Sequence, residues 1–300
     1  MAALNVTLGD GVVMPAVGFG TFEIAATNCE AAVARALRAG YRHVDTAEMY
    51  GNEAEVGRAI KAHGGPVFIT TKIWPGNPDW GQAPKSYEET ISACEASLAK
   101  LGVPRVDLLL VHTPLGGGPE GRLAQYRGLV ECRRRGYAAS IGVSNFGVQH
   151  LDELEAAGLP RPAANQLELH PFCQKADVLA CMRERGIAPI AYSSLAPLST
   201  WRAGYQRYAG SKTGNEAYDG VIDATAQRVG VSPARLLLRY GLQKGWAVLP
   251  KSIDDGRLRE NMDLDFVIPE GEMADLDACE CGAAHAFGDA QMPMDPARAA

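Results

Sequence analysis

Four residues of types that move protons follow predicted strands in the first part of the chain. Asp45, Lys72 and His112 each come directly after a short apolar segment typical of a buried strand, and Tyr50 lies just beyond Asp45. Because the strand ends of a parallel barrel share one face, we expect these side chains to converge there. A carboxylate, an ammonium, a phenol and an imidazole in one place indicate a proton-transfer site.

These four residue types match what the reduction of a carbonyl group requires. Hydride transfer leaves an alkoxide, and Tyr50 is the expected proton donor. A phenol with an ordinary pKa of about 10 donates slowly unless a nearby cation lowers that pKa. We expect Lys72 to lower it, and Asp45 to keep Lys72 charged and in place. His112 is expected to donate a hydrogen bond to the carbonyl oxygen.

Strand and helix patterns alternate along most of the chain and must position these residues. Eight of each predict an α/β fold, a (β/α)8 TIM barrel, with an open doubly wound sheet as the alternative. The predicted strands are 16–20, 41–44, 66–71, 106–111, 138–143, 163–167, 187–192 and 246–249. The predicted helices are 28–39, 53–63, 86–101, 121–135, 148–157, 176–185, 232–243 and 255–262.

The remaining segments complete the predicted organisation of residues 1–300 as one barrel domain. A turn at Gly9-Asp10-Gly11 predicts an N-terminal β-hairpin over residues 6–15, covering one end of the barrel. The barrel itself is expected over about 16–265, followed by a C-terminal helix and tail at 266–300, with a C-terminal loop over the site. The connection at 194–218 is the longest irregular segment, a length typical of binding loops.

Composition excludes several classes of protein. The charge of −6 is spread over 29 basic and 35 acidic residues, so nucleic acid is not an expected partner. No apolar segment reaches the roughly 20 residues of a membrane helix. Seven cysteines at scattered spacings indicate reduced thiols. No metal is expected, since Cys279, Cys281 and His285 lack the spacing and the fourth ligand of a zinc site. We therefore expect a soluble, cytoplasmic protein.

Two motifs match known sites only in part. Residues 116–121 fit the G-x-G-x-x-G pattern of dinucleotide binding, but the next strand lacks the expected acid and Pro119 removes one amide. We predict a flexible loop there. Residues 142–147 resemble a nucleophile elbow but lack its second glycine, so serine hydrolysis is not supported.

Several motifs together resemble the aldo-keto reductases. They run in order as Gly-Tyr-Arg-His-Val-Asp-Thr-Ala-Glu-Met-Tyr-Gly-Asn-Glu at 40–53, Lys-Ile-Trp at 72–74, Val-His at 111–112, Ile-Gly-Val-Ser-Asn-Phe at 141–146, Asn-Gln-Leu-Glu-Leu-His-Pro at 165–171 and Leu-Pro-Lys-Ser at 249–252. The resemblance spans about residues 5–265. It implies a (β/α)8 barrel that binds NADPH without a Rossmann fold, in which Asp45, Tyr50, Lys72 and His112 form the catalytic tetrad.

The cofactor is expected along the ends of the later strands. Side chains there can hydrogen-bond a carboxamide, and the resemblance assigns Ser144, Asn145 and Gln166 to the nicotinamide amide and Tyr192 to stacking on its ring. Cations beside a helix start suit an extra phosphate, so NADPH is preferred over NADH. The full predicted set is Gly20, Thr21, Asp45, Ser144, Asn145, Gln166, Tyr192, Ser193, Leu195, Lys251, Ser252, Arg257, Glu260 and Asn261.

The substrate is predicted less closely than the cofactor. Phe22, Trp74, Thr113 and Trp201, or Tyr205 in place of Trp201, would line an apolar pocket for small-molecule aldehydes and ketones. The predicted function is NADPH-dependent carbonyl reduction by a monomer or weak oligomer. Two alternatives stay open: an NADP-binding sensor or partner subunit with little turnover, and a barrel isomerase or lyase acting on a phosphorylated substrate.

Overall fold

A computed structural model describes residues 4–198 and 220–280. Two strands form an N-terminal hairpin and eight form one parallel sheet. The hairpin strands are β1 (Asn5–Thr7) and β2 (Val13–Pro15). The sheet strands are β3 (Phe19–Gly20), β4 (His43–Asp45), β5 (Phe68–Ile73), β6 (Val106–Val111), β7 (Ala138–Ser144), β8 (Ala164–Glu168), β9 (Ala188–Tyr192) and β10 (Ala247–Val248).

Helices separate the strands of the sheet. They are α1 (Ala26–Arg38), α2 (Glu53–His63), α3 (Tyr87–Leu101), α4 (Gly118–Arg134), α5 (Val148–Ala156), α6 (Ala176–Glu184), α7 (Val221–Val229), α8 (Pro233–Gln243), α9 (Asp255–Glu260) and α10 (Glu270–Asp277). All eight predicted sheet strands overlap an observed strand, five of them over most of their length, and all eight predicted helices overlap α1–α6, α8 and α9. In the first, second and last predicted strands the overlap is only two residues, at 19–20, 43–44 and 247–248.

The sheet closes on itself. Its strands pair in chain order from β3 to β10, all parallel. The segment around β3 also meets β10, because the amide of Gly18 donates to Val248 O at 2.9 Å and the amide of Val248 donates to Ala16 O at 2.8 Å. Through these two hydrogen bonds, Val17 and Val248 form a parallel β-bridge. The first and last strands are therefore joined, and the predicted (β/α)8 barrel is confirmed.

Alternate side chains of each strand fill two different apolar layers. In β6, Leu109 and Val111 pack in the layer between the sheet and the helices, whereas Leu108 and Leu110 belong to the layer inside the barrel. All four are at most 1% exposed. A strand covered on both faces reads as a continuous apolar segment, as this one does. The barrel is thus a packed core, in which a few polar side chains such as Thr70 and Ser140 are also buried.

The hairpin covers the amino-terminal end of the barrel, as predicted. Leu8 and Met14 extend the interior layer, and the amide of Gly9 donates to Ala163 O, just before β8, at 2.8 Å. A Cβ on Gly9 would lie 2.3 Å from Gly186 O, so only glycine permits this close approach. Closing this end leaves the opposite, carboxyl-terminal end of the strands for a site.

The prediction of a flexible loop at residues 116–121 is wrong. Helix α4 begins at Gly118, with Pro119 in its first turn, a position where proline is favoured. A Cβ on Gly121 would lie 1.8 Å from Gly116 O, and Gln125 Nε2 donates to that same oxygen at 3.0 Å. The glycines therefore allow a tightly packed helix start, and they do not form a phosphate-binding loop.

Some predicted features fall outside the described residues. These are Trp201, Tyr205 and most of the 194–218 connection, together with Cys281, His285 and the tail that was expected to cover the site. Within residues 4–198 and 220–280, no helix combines the length and apolar character needed to cross a membrane.

Candidate active site

A buried ion pair lies at the carboxyl-terminal end of the barrel. Asp45 ends β4, and Lys72 lies near the end of the neighbouring β5. Lys72 Nζ is 2.5 Å from Asp45 Oδ1, and the lysine side chain has no solvent exposure. The same ammonium donates to Thr46 O at 2.9 Å and to Tyr50 OH at 3.3 Å. It therefore connects the carboxylate to the phenol.

A short 3-10 turn places Tyr50 beside this pair. Gly51 ends the turn with φ 66°, a left-handed conformation that favours glycine. The buried side chain of Asn52 then accepts a hydrogen bond from Thr46 Oγ1 at 3.0 Å and donates one to Thr21 O at 3.0 Å. These bonds connect the segment after β4 to the segment after β3, so the position of the phenol is fixed by its surroundings.

Burial and charge oppose each other in this group. Burial lowers the pKa of Lys72, but the Asp45 carboxylate and Tyr50 outweigh burial, and the net shift is upward. Burial raises the pKa of Tyr50, and the nearby Lys72 ammonium lowers it without cancelling the rise. The net direction for Tyr50 is thus opposite to the sequence prediction, although Lys72 acts in the predicted sense. At neutral pH the lysine is charged and the phenol holds its proton.

His112 lies directly after β6 and faces Tyr50. The two ring centroids are 5.5 Å apart at an interplanar angle of 76°. Burial, and then the positive charge of Lys72, hold the pKa of His112 well below its usual range. The imidazole is therefore neutral at pH 7, with one N–H to donate. Its Nδ1 is buried and has no hydrogen-bond partner among the described residues.

Aromatic side chains surround Tyr50 and His112. Phe22 packs against Tyr50 with ring centroids 5.1 Å apart, and Trp74 meets His112 edge to face at 5.5 Å. Trp80, which the sequence analysis did not select, stacks on Trp74 at 5.6 Å and 14°. Phe22 and Trp80 are 39% and 46% exposed, so this aromatic group opens to solvent.

Trp74 is held by three polar neighbours. Its amide donates to Glu48 Oε2 at 2.8 Å, its indole Nε1 donates to Gln82 Oε1 at 2.6 Å, and its carbonyl accepts from Lys85 Nζ at 2.7 Å. Thr113, predicted for the same pocket, is instead fully buried, and its hydroxyl accepts from the amide of Leu115 at 3.0 Å. Thr113 thus shapes the loop after β6 and does not present its hydroxyl to the opening.

A cluster of amide and hydroxyl groups lies at the ends of β7, β8 and β9. Asn145 Nδ2 donates to His112 O at 3.1 Å and to Ser144 Oγ at 3.2 Å, and Asn145 Oδ1 accepts from Tyr192 OH at 2.8 Å. Gln166 Nε2 donates to the second oxygen of Asp45 at 2.7 Å, which places it beside the ion pair. Four of the predicted nicotinamide contacts therefore lie together and adjoin the group of Asp45, Lys72 and Tyr50.

Two further predicted cofactor residues follow β9. Ser193 has φ 54°, and its carbonyl accepts from the amide of Ala196 at 2.8 Å. The resulting turn leads away from Tyr192 through Leu195, which is half-buried. The chain therefore leaves the amide cluster along the barrel rim, on the path predicted for the pyrophosphate.

The predicted phosphate end lies between β10 and α9. Lys251 is 41% exposed and 4.0 Å from Glu23, and the Arg257 side chain is 75% exposed. Asp254 accepts from the amide of Arg257 at 2.8 Å and so caps α9. That hydrogen bond lowers the pKa of the Asp254 carboxyl. Two cations therefore remain accessible there.

The other predicted residues at this end differ in exposure. Ser252 and Asn261 are buried, whereas Glu260 is half-buried. Where the first and last strands of the barrel meet, the amide of Gly20 donates a hydrogen bond to Pro250 O at 3.1 Å. A Cβ on Gly20 would lie 3.2 Å from Leu249 O. Thr21 Oγ1 donates to Asp45 O at 3.0 Å. The Gly20 and Thr21 backbone thus connects the phosphate end to the ion pair.

Residues 16–280 match the model of the Aldo/keto reductase family. The chain belongs to this family. An aldo-keto reductase of Mycolicibacterium vanbaalenii is 38% identical to it over 283 residues, which cover 93% of this chain and 92% of that protein. Morphine 6-dehydrogenase of Pseudomonas putida is 36% identical over 281 residues, covering 92% of this chain and 91% of that one.

Solved structures agree with the family assignment. The crystal structure of a Bombyx mori aldo-keto reductase in complex with NADP matches this chain with a TM-score of 0.82 at 28% identity, over 97% of this chain and 98% of that one. The resemblance inferred from the sequence motifs is therefore confirmed. As an aldo-keto reductase, the protein is an oxidoreductase of the carbonyl-reducing kind.

Sequence reasoning missed three polar residues of this aldo-keto reductase that support the site. Glu48 and Asn52 lie within the motif at 40–53, but neither was predicted as a site residue. Lys85 was not considered, although it forms an ion pair with Glu48 at 3.1 Å. Their polar side chains lie close in sequence to Tyr50 or to the Trp-rich loop, and this could have marked them as candidates. Which groups they bond to is decided by the fold and could not be read from the sequence.

Proposed function

We propose that this aldo-keto reductase reduces aldehydes or ketones to alcohols with NADPH, and that Tyr50 donates the proton. The observation that carries this proposal is the position of Lys72 Nζ, which contacts Asp45 Oδ1 at 2.5 Å and Tyr50 OH at 3.3 Å. A charged lysine in contact with a protonated phenol stabilises the phenolate that forms when the proton leaves.

The residues present fit a nicotinamide dinucleotide. A primary amide needs donors and acceptors together, and Ser144, Asn145 and Gln166 supply both within one cluster. Lys251 and Arg257 would hold the phosphate that distinguishes NADPH from NADH. The bound cofactor would supply the hydride. Support for the cofactor also comes from the solved relative that holds NADP.

Tyr50 Oη passes its proton to the developing alkoxide oxygen of the substrate. Lys72 stays in contact with Tyr50 Oη and balances the negative charge left there, while Asp45 keeps the ammonium from moving. Neutral His112 donates its single N–H toward the substrate oxygen and fixes the orientation of the carbonyl. In the oxidation direction the Tyr50 phenolate accepts the proton from the alcohol.

The test is NADPH consumption with a panel of aldehydes, ketones and quinones, run on the wild type and on Tyr50→Phe. Loss of the proton donor should lower kcat by about 10²- to 10⁴-fold, while NADPH binding, measured by quenching of protein fluorescence, stays within about twofold. Tyr137→Phe is the matched control, because it removes a phenol that donates to Glu95 at 3.1 Å on the helix side of the barrel.

Four outcomes would count against the proposal. Unchanged turnover in Tyr50→Phe would remove Tyr50 as the donor. Tight NADPH binding without turnover by the wild type would favour a sensor or partner subunit. Binding of a sugar phosphate but not of NADPH would favour an isomerase or lyase. A preference for NADH that Arg257→Gln leaves unchanged would contradict the proposed choice of cofactor.

A further inference from the structure

A cationic cavity lies between helices α1 and α9, apart from the residues of the candidate active site. It is lined by Arg35, Arg38, Ala39, Asp255, Leu258 and Arg259. Three guanidinium groups thus face one carboxylate in a protein whose formal net charge is −6. A local excess of positive charge in an acidic protein attracts small anions to that place.

Arg35 has unmet hydrogen-bonding capacity in this cavity. Its Nε is buried and has no hydrogen-bond partner among the described residues. Asp255 Oδ1 lies 3.9 Å from that nitrogen, which is beyond hydrogen-bond distance. The Arg35 side chain as a whole is 34% exposed, so its charge is open to an anion in the cavity.

Helix electrostatics explain only part of this arrangement. Arg35 and Arg38 lie in the last turn of α1, where cations are stabilised by the helix dipole. Arg259 lies in the last turn of α9, where the dipole of that helix stabilises it in the same way. The two dipoles do not explain why cations of both helices line one cavity, and a bound anion would account for that convergence.

We propose that this cavity binds a phosphate dianion, either free or as a phosphomonoester. Guanidinium groups match the geometry of phosphate oxygens, and three of them exceed the charge that Asp255 neutralises. The cavity involves the other side of α9 from Arg257, since Arg257 does not line it. The proposal does not depend on the proposed function, because it concerns binding alone.

Isothermal titration of the full-length protein with inorganic phosphate tests the proposal, and methyl phosphate provides the monoester arm. The variants are Arg35→Gln and Arg259→Gln, with the exposed Arg161→Gln as the matched control. Arg257→Gln identifies phosphate that binds at the proposed cofactor site instead. Each variant is first checked for an unchanged thermal unfolding midpoint, so that a folding defect is not read as lost binding.

Loss of one charge-assisted contact should raise the dissociation constant about tenfold in Arg35→Gln and in Arg259→Gln, with less than a twofold change in Arg161→Gln and Arg257→Gln. Binding of methyl phosphate with similar affinity would identify monoesters as ligands, and its failure would identify the free anion. The proposal is overturned if phosphate does not bind in the millimolar range, or if Arg257→Gln abolishes binding while Arg259→Gln does not.

Discussion

Replacing Lys72 by methionine removes the buried ammonium and keeps a side chain of similar length. The Asp45 carboxylate then loses its partner at 2.5 Å and retains the hydrogen bond from Gln166 at 2.7 Å. A carboxylate left in this way stays charged at a desolvation cost or takes up a proton. Protonating a carboxyl group at pH 7 from an ordinary pKa of about 4 costs about 4 kcal/mol, which limits the loss of stability.

The converse substitution, Asp45→Asn, leaves the Lys72 ammonium buried with neutral acceptors only. Deprotonating a lysine at pH 7 from its ordinary pKa of 10.5 costs about 5 kcal/mol. We therefore expect each single variant to lose about 3 to 5 kcal/mol of unfolding free energy. The double variant leaves no unpaired charge and should lose less than about 3 kcal/mol, so the coupling free energy should be at least about 3 kcal/mol.

Urea unfolding at pH 7, followed by tryptophan fluorescence, measures these four free energies. Lys244→Met is the control: its ion pair with Asp277 at 2.9 Å is partly exposed, and its loss should cost about 1 kcal/mol or less. Additive losses in the double variant, or single losses as small as that of the control, would show that the pair is not a coupled buried ion pair. The proposed role of Lys72 in holding charge beside Tyr50 would then fail.

Three further predictions concern other parts of the molecule. Burial lowers the pKa of His43 from 6.5 to about 4, so as the pH falls the imidazole is protonated in the unfolded chain before it is protonated in the folded one. About 3 kcal/mol of the free energy of unfolding is therefore lost between pH 6.5 and pH 4. Urea titrations across that range should show this loss in the wild type but not in His43→Gln. Gly121→Ala should destabilise by at least about 2 kcal/mol, since its Cβ would lie 1.8 Å from Gly116 O, whereas Gly271→Ala, in open space on α10, should cost nothing; equal thermal midpoints would refute the packing argument. Trp80→Ala should raise KM for aromatic aldehydes several-fold with little change in kcat, because the ring is 46% exposed beside the aromatic group; an unchanged KM would place the substrate elsewhere.

The barrel and three of its polar strand-end residues could be predicted because both follow from local patterns. Asp45, Lys72 and His112 each adjoin an apolar segment, and adjacent parallel strands bring such residues to one face. Lys72 was expected near Tyr50, but the way in which their 3.3 Å contact is held could not be predicted. It depends on the 3-10 turn and on the bonds of Asn52, whose partners are remote in sequence.

Other details were decided by packing that a sequence pattern does not show. Helix α7 was not predicted, since it is a short segment between Gly220 and Gly230 beside a long irregular connection. The glycines at 116–121 matched a nucleotide motif but serve the close approach of Gln125. The contact of the Gln166 amide with Asp45 was not predicted either, and the role of Gln166 toward a carboxamide stays a prediction. These details depend on tertiary packing.

The joint between β3 and β10 has a consequence for the order in which the protein folds. Lys72 and Asp45 are separated by 27 residues in sequence, whereas Gln166 and Asp45 are separated by 121. Gly18 can bond to Val248 only when nearly the whole barrel is in place. Contacts between distant segments form slowly, because closing a long loop costs more chain entropy. We therefore expect the acid and base groups to assemble early from neighbouring strands, and the ability to bind a nucleotide to be the last property that the folding chain acquires.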